Sequence, residues 1–269
     1  MKQPLFAIDQ TDNRNAFLAD ALAQEGYDVV RWHSDTDRFP PQADRPYAIV
    51  FSPAKLIAET VAASIPPKSY VFGGNATPGA LEWMAENGIV YVNFLDDELF
   101  TMLNAIPTAE GALMLAMEHT PATVRGMEVL LLGYGRAAKC VNQVFAALGA
   151  NVTVLARSTK DRAEASIFAH AARDFDALEG RIAADVVINT VPHLVLTRDA
   201  LRHLKQDAYV IDLASKPGGV DFEAAKELGI KTEHALGLPG KVAPKTAGDY
   251  MKRIILKTLA HRERNDHYG

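Results

Sequence analysis

Short apolar runs alternate along the chain with segments of helical period, and this alternation predicts α/β structure with parallel strands joined by crossover helices. In the first hundred residues the pattern predicts strands over 5–8, 27–32, 47–51, 69–72 and 89–93, and helices over 16–22 and 78–86. Gly26 and Gly88 supply the helix stops, and Pro40-Pro41 and Pro66-Pro67 mark loops. A helix opened by Pro107 is expected over 104–119, because a proline in the first turn gives up an N–H that lacks a partner anyway. Leu113, Ala116 and Met117 form its buried stripe.

The second half is more regular. A strand over 128–132 leads into a helix over 136–148, where Val141, Val144, Phe145 and Leu148 share one face and Gly149 is the stop. Further strands are expected over 152–156, 185–189, 209–213 and 231–235, followed by a long loop into an amphipathic helix over 244–259. Met251, Ile254, Ile255, Thr258 and Leu259 form the apolar face of that helix, and the polar tail 261–269 is expected to fray. The expected architecture is α/β in two domains. One comprises 1–106 plus 244–269, with the C-terminal helix returning to it; in the other, 107–243, a Gly133-x-Gly135-x-x-Ala138 run stands between strand and helix, so a Rossmann-type dinucleotide-binding domain is expected.

Composition narrows the class. With 269 residues, 48% apolar types and a net charge of −5, the chain can bury full cores and is not a disordered segment. A single cysteine, Cys140, excludes an internal disulfide and a cysteine-cluster zinc site, and no metal-ligand spacing, H-E-x-x-H or Ser-His-Asp order is present. The 28 basic and 33 acidic residues give no pull toward nucleic acid. No apolar run approaches about 18 residues and no signal-peptide core is evident, so neither a membrane span nor export is expected and a cytoplasmic location is.

The candidate chemistry begins where the strand over 128–132 meets Gly133-Tyr134-Gly135-Arg136-Ala137-Ala138, a G-x-G-x-x-A run between strand and helix. Gly133 permits the tight turn, Gly135 lets backbone approach a diphosphate, and Ala138 allows close helix packing; the bland alternative is a glycine-rich turn of any α/β fold. An NAD site wants an acid at the end of the next strand. This chain has Arg157 and Ser158 there, so NADP(H) is expected, unless Arg157 merely faces water. Lys160 and Arg162 are weaker candidates for the same role. Other strand ends offer Asn189, Thr190, Val191, Pro192, Asp212 and Ala214 to the cofactor, with Pro239 from the late loop. Lys216 and Lys245 are candidate anion binders, joined by Thr246, which could instead cap the last helix. His193 reads as a general acid or base or as a plain loop histidine, and with Lys216 and Lys245 it makes up the candidate catalytic groups. His119 and His234 read as packed or capping residues, and Asp96-Asp97 as an exposed turn.

Several of these stretches together resemble one family. They are Ala105-Ile-Pro-Thr108-Ala-Glu110-Gly111, Leu132-Gly-Tyr-Gly-Arg136, Phe145-Ala-Ala-Leu-Gly-Ala150, Asp212-Leu-Ala-Ser-Lys-Pro-Gly-Gly219 and Gly237-Leu-Pro-Gly-Lys-Val-Ala-Pro-Lys-Thr-Ala-Gly248. The chain is similar over about 100–258 to the A subunits of dipicolinate synthase. The resemblance implies an NADP-dependent oxidoreductase of bacterial sporulation that removes a hydride from a dihydrodipicolinate-type intermediate. It also implies a small dicarboxylate substrate, contacts from Thr108, Ser215, Lys216, Lys245 and Thr246, and a flavoprotein-like B subunit as partner. A homo-oligomer is expected too. Where the family carries a glycine-rich stretch after its first strand, this chain has Ile8-Asp-Gln-Thr-Asp-Asn-Arg14. Two other readings stand beside this one: a non-catalytic NADP(H)-binding subunit, and a 2-keto or 2-hydroxy acid oxidoreductase.

Overall fold

Parallel strands with side chains alternating between two covered faces organise the whole chain. The structure is a computed structural model that describes residues 4–35 and 47–266. Its contacts divide into two units, Met1–Asn104 with Pro239–Gly269, and Ala105–Leu238. The loop expected at Pro40-Pro41 lies outside the described residues.

The first unit holds β1 (Leu5–Asp9), β2 (Val29–Trp32), β3 (Tyr47–Val50), β4 (Tyr70–Gly73) and β5 (Val90–Asn93), all parallel, in the order β2-β1-β3-β4-β5. The strand order reverses between β1 and β3. Along β1, Phe6 and Ile8 enter one core with Leu18 and Leu22 of α1 (Asn13–Gln24), while Ala7 enters the opposite one. That opposite core is closed by α2 (Glu59–Ala62) and α3 (Pro78–Glu86), the latter opened by Thr77, whose hydroxyl accepts from Ala80 N. Met251, Ile254, Ile255 and Leu259 of the last helix pack beside α1 in the first core, so the C-terminal helix does return to the first unit.

The second unit contains β6 (Glu128–Leu132), β7 (Asn151–Leu155), β8 (Ala171–Arg173), β9 (Val186–Asn189), β10 (Tyr209–Asp212) and β11 (Lys231–His234). They lie in the order β11-β10-β9-β6-β7-β8, all parallel. This is the doubly wound arrangement of a Rossmann sheet, with its order reversing between β6 and β9. α4 (Glu98–His119), α5 (Arg136–Ala147) and α6 (Thr159–Phe168) supply helices to this half. Val129, Leu131, Val152 and Val154 meet α4 and α5 side chains on one face. On the other, Leu130, Leu132 and Val187 meet α7 (Arg198–Arg202) and α8 (Phe222–Glu227).

Three expectations are corrected. The helix placed at 104–119 begins at Glu98, because the Asp97 carboxylate caps it by accepting from Phe100 N at 2.8 Å. Pro107 therefore sits inside α4, where it removes one backbone hydrogen bond rather than opening the helix. The long loop before the last helix contains α9 (Leu238–Val242), and α10 (Pro244–Asp266) extends past the expected end at 259. By length and composition alone α4 could cross a membrane, although polar residues interrupt its apolar positions. Its Ala109, Ala112, Leu115 and Ala116 are packed in the second unit's core.

Candidate dinucleotide and substrate site

The phosphate loop starts where β6 runs out. Gly133 has φ +91° and donates its N–H to Leu155 O at 2.8 Å. A Cβ there would lie 2.5 Å from Thr190 Oγ1, so both the backbone conformation and the space demand glycine. Thr190 is held in that position: its hydroxyl donates to Leu132 O at 2.8 Å, and its N–H donates to the same oxygen at 3.0 Å. Two residues on from Gly133, Gly135 is the N-cap of α5 with no side-chain cap, and a Cβ on it would meet nothing within 4 Å. The first N–H groups of α5, beginning at Arg136 and Ala137, thus face open space at the positive end of a helix dipole. The residues present fit a diphosphate. Ala138, in the first turn of α5, is fully buried on the helix's inner face.

Tyr134 is expected to reach the cofactor, but its ring turns the other way. It is 6% exposed in the core of the second unit, with Lys139 Nζ 5.5 Å from the ring centroid. Burial, reinforced by Glu164, pushes its phenol up from the ordinary range. Its ring is thereby turned into the core rather than toward the open start of α5.

At the end of β7, Arg157 is exposed, and among the described residues its guanidinium has no partner. It lines a cleft of about 380 Å³ with Phe175, Leu178, Val191, His193 and Leu194, a mostly apolar space with one cation on its wall. Ser158 caps α6 by accepting from Asp161 N at 3.3 Å, which leaves its hydroxyl proton free to donate. Arg162 is already committed: Nη1 donates to Ala156 O, Arg157 O and Asp174. Pro192 and His193 are exposed beyond the end of β9.

Asn189 and Asp212 face each other. Both are expected to touch the cofactor, and both are fully buried. Asn189 Nδ2 donates to Asp212 Oδ1 at 2.8 Å and to Val191 O at 3.0 Å, while Asn189 Oδ1 accepts from Val191 N at 3.0 Å. Asp212 also accepts from Ala214 N at 3.0 Å and Gly219 N at 2.8 Å. These side chains hold the loops after β9 and β10 in shape. Gly219 is part of the same device, since its Cβ would stand 2.3 Å from Asn189 Nδ2. Ala214 is buried and its carbonyl is bonded to His234 Nε2 at 2.8 Å; Pro239 is buried within α9. His119, at the end of α4, is exposed, with its ring tilted against Tyr209 at a centroid distance of 4.6 Å.

The polar candidates for a substrate fall in two places. Ser215 and Lys216 are exposed on a turn closed by Gly218 N donating to Ser215 O at 2.9 Å, and Lys216 has no partner among the described residues. Lys245 and Thr246 share the first turn of α10. Lys245 pairs with Asp249 at 3.0 Å, and Thr246 is an exposed helical residue rather than a cap. Thr108 lies within α4, half-buried. Among the described residues no group of three or more His, Cys, Asp or Glu could hold a metal ion.

One cluster has no counterpart among the expected site residues. It occupies the strand-order reversal of the first sheet. Arg14 is 2% exposed and grips Asp12 with Nε at 2.9 Å and Nη2 at 2.7 Å. Ser52, after β3, donates to Asp12 Oδ2 at 2.6 Å. Burial pulls the Asp12 carboxyl up, but the Arg14 guanidinium and the Ser52 hydroxyl outweigh it and hold the carboxyl below its usual range. Beside them the fully buried Asp9 accepts from Thr11 Oγ1 at 2.7 Å, and Lys55 Nζ stands 3.6 Å away. A Cβ on Gly240 would lie 2.9 Å from Asp12 Oδ1, so the late glycine motif lies directly on this ion pair. The only local hint is the D-x-R spacing of Asp12 and Arg14; Ser52 and Gly240 are far away in sequence.

Residues 108–224 match the family model of the D-isomer specific 2-hydroxyacid dehydrogenase NAD-binding domain. The dipicolinate synthase A protein of Bacillus subtilis (strain 168) is 39% identical over 198 residues, 72% of this chain and 66% of that protein, a little under two thirds of its length. The crystal structure of the corresponding synthase protein from Bacillus halodurans superposes with a TM-score of 0.82 at 30% identity, covering 96% of this chain and 98% of that one. The crystal structure of the Bacillus subtilis protein gives 0.81 at 28% identity, covering 98% of each. The chain carries a nicotinamide dinucleotide-binding domain and belongs to the family of dipicolinate synthase A subunits.

Proposed function

We propose that the chain is the A-type component of a dipicolinate synthase, a cytoplasmic NADP-dependent oxidoreductase of bacterial sporulation acting on a dihydrodipicolinate-type dianion. The observation that carries the cofactor choice is Arg157, without a partner among the described residues, at the strand end where an NAD site would hold an acid. Ser158, with its hydroxyl proton free, supports the same reading. The cofactor, when bound, supplies the hydride acceptor for an oxidation that leaves an aromatic ring.

The chain's own residues bind and orient. The uncapped start of α5 and the Gly133–Gly135 backbone hold the diphosphate, and the Asn189–Asp212 pair keeps the neighbouring loops in place. Val191 and His193 line the same cleft as Arg157. Lys216, exposed and unpaired among the described residues, is a cation for a substrate carboxylate, with Ser215 beside it on the same turn and Thr108 a further polar candidate in the second unit; in the first unit Lys245, which pairs with Asp249, and Thr246 are the corresponding candidates. His193 or Lys216 takes the proton that leaves with the hydride. A flavoprotein-like B subunit is the proposed partner, in keeping with the relatives being named as one subunit of a synthase.

The rival reading is a non-catalytic NADP(H)-binding component. Rapid-mixing absorbance of the purified chain with NADP and freshly generated dihydrodipicolinate, with and without the B subunit, separates the two. The proposal expects reduced nicotinamide to appear. Its absence under both conditions, with NADP shown to bind, would leave the non-catalytic reading.

A further inference from the structure

The pairing of β7 with β8 ends where Ala156 N donates to Arg173 O at 3.1 Å. Past that bond the chain leaves the sheet, and Arg162, from α6, takes over. Its Nη1 donates to Ala156 O at 2.8 Å and to Arg157 O at 2.6 Å, and its Nη2 to Thr159 Oγ1 at 3.2 Å. The same Nη1 bonds the Asp174 carboxylate, just beyond β8. Asp174 divides its two oxygens: one accepts from Arg162, and the other accepts from Phe175 N at 2.7 Å.

A lone exposed ion pair adds little to a fold. This guanidinium is different, because its planar fork meets four acceptors on three segments and so fixes their relative geometry. Two of those segments lead to one cleft. Arg157 and Phe175 both line it, with Leu178, Val191 and Leu194 as further apolar walls. A ring, an aliphatic lining and a cation suit a purine that carries a phosphate nearby.

We infer that Arg162 is a positioning residue for cofactor selectivity: it holds Arg157 and Phe175 in place rather than bonding the nucleotide itself. The inference rests on the NADP reading proposed above.

The probes are 5′-AMP and the same nucleotide carrying an added 2′-phosphate, titrated calorimetrically into the full chain. The wild type should prefer the doubly phosphorylated probe by about 10-fold or more. Arg162→Gln and Asp174→Ala should each cut that preference to within about threefold, with 5′-AMP affinity changed by less than about threefold. The two variants alter local charge in opposite directions, so charge alone would lower the preference in the first and raise it in the second. A preference that persists in either variant, or that rises in Asp174→Ala, would overturn the inference and leave the NADP reading standing. Equal loss of both probes would overturn it as well, since the residue would then serve the fold alone. A wild type that does not distinguish the probes would end the NADP reading and this inference with it.

Discussion

Thr190 Oγ1 stands 2.5 Å from the point where a Cβ on Gly133 would be, and the hydroxyl is fixed there by its own bond to Leu132 O at 2.8 Å. The end of β9 thereby shapes the turn that leaves β6. Gly133→Ala adds a left-handed alanine and a clash that Thr190 cannot relieve without giving up its bond. The expected result is a loss of about 2–4 kcal/mol in stability and loss of measurable dinucleotide binding. Thr190→Ala in the same chain should restore part of the stability and little of the binding, because the strained backbone and Val191 Cγ2 at 3.1 Å remain. Denaturant melts and fluorescence titration with NADPH check both. Full restoration of binding would show that the turn tolerates a side chain.

The proposed choice of NADP over NAD rests on Arg157. Its exposed guanidinium has no partner among the described residues, so removing it breaks nothing in the fold. Arg157→Ala should weaken NADPH binding by roughly 10- to 100-fold, the worth of a charge-assisted bidentate bond. NADH binding should change by less than about threefold. Calorimetric titration with the two nucleotides measures the split. An equal loss for both would mean that the residue does not read the extra phosphate.

The dinucleotide loop is legible in the sequence because its signals are local. A strand, two glycines and a helix start lie close together, and the edges expected at Glu128, Leu132 and Arg136 match the observed elements. The start of α4 is not legible in the same way. Pro107 is a strong opening signal, and it masks the Asp97 cap that starts the helix earlier. α6, with a polar run broken only by alanines, Ile167 and Phe168, lacks a clear apolar period. The roles of Asn189 and Asp212 are ambiguous in sequence because a polar residue at a strand end can face a ligand or its neighbour. Only the spatial pairing of β9 with β10 shows that the two side chains meet.

That pairing gives a third prediction. Asp212 accepts from Asn189, Ala214 and Gly219 while fully buried. Asp212→Ala leaves those donors unmet and should cost about 3–5 kcal/mol. The loop that carries Ser215 and Lys216 should lose amide protection in hydrogen exchange, whereas the Gly133 turn should keep it. Equal protection of the 214–219 amides in both proteins would remove Asp212 from this role.

Lys216 offers a contrast within the same loop. It is exposed and unpaired among the described residues, so Lys216→Ala should change stability by less than about 0.5 kcal/mol. If it meets a substrate carboxylate, KM for the dianion should rise by about tenfold or more, with NADPH affinity unchanged. Steady-state assays beside nucleotide titration read the two effects apart. An unchanged KM would exclude the contact.

The Asp12–Arg14 pair links acid stability to the first unit. Asp12 is held below the usual carboxylate range, so its ionised form stabilises the fold wherever pH exceeds the unfolded value, about 3.9, and that contribution fades as pH falls through the depressed native value. Asp12→Asn removes the titration and leaves Arg14, 2% exposed, without its counter-charge. At neutral pH the variant should be less stable by about 3–5 kcal/mol. Below about pH 4 its stability should fall less steeply than that of the wild type, so the two curves converge in acid. Urea midpoints at about pH 7, 5, 4 and 3 trace both curves. Gly240 lies against the same carboxylate, so the loss should also loosen the 238–242 helix, readable as faster amide exchange there. Curves that stay parallel down to about pH 3 would show that the Asp12 carboxyl titrates alike in the folded and unfolded chain.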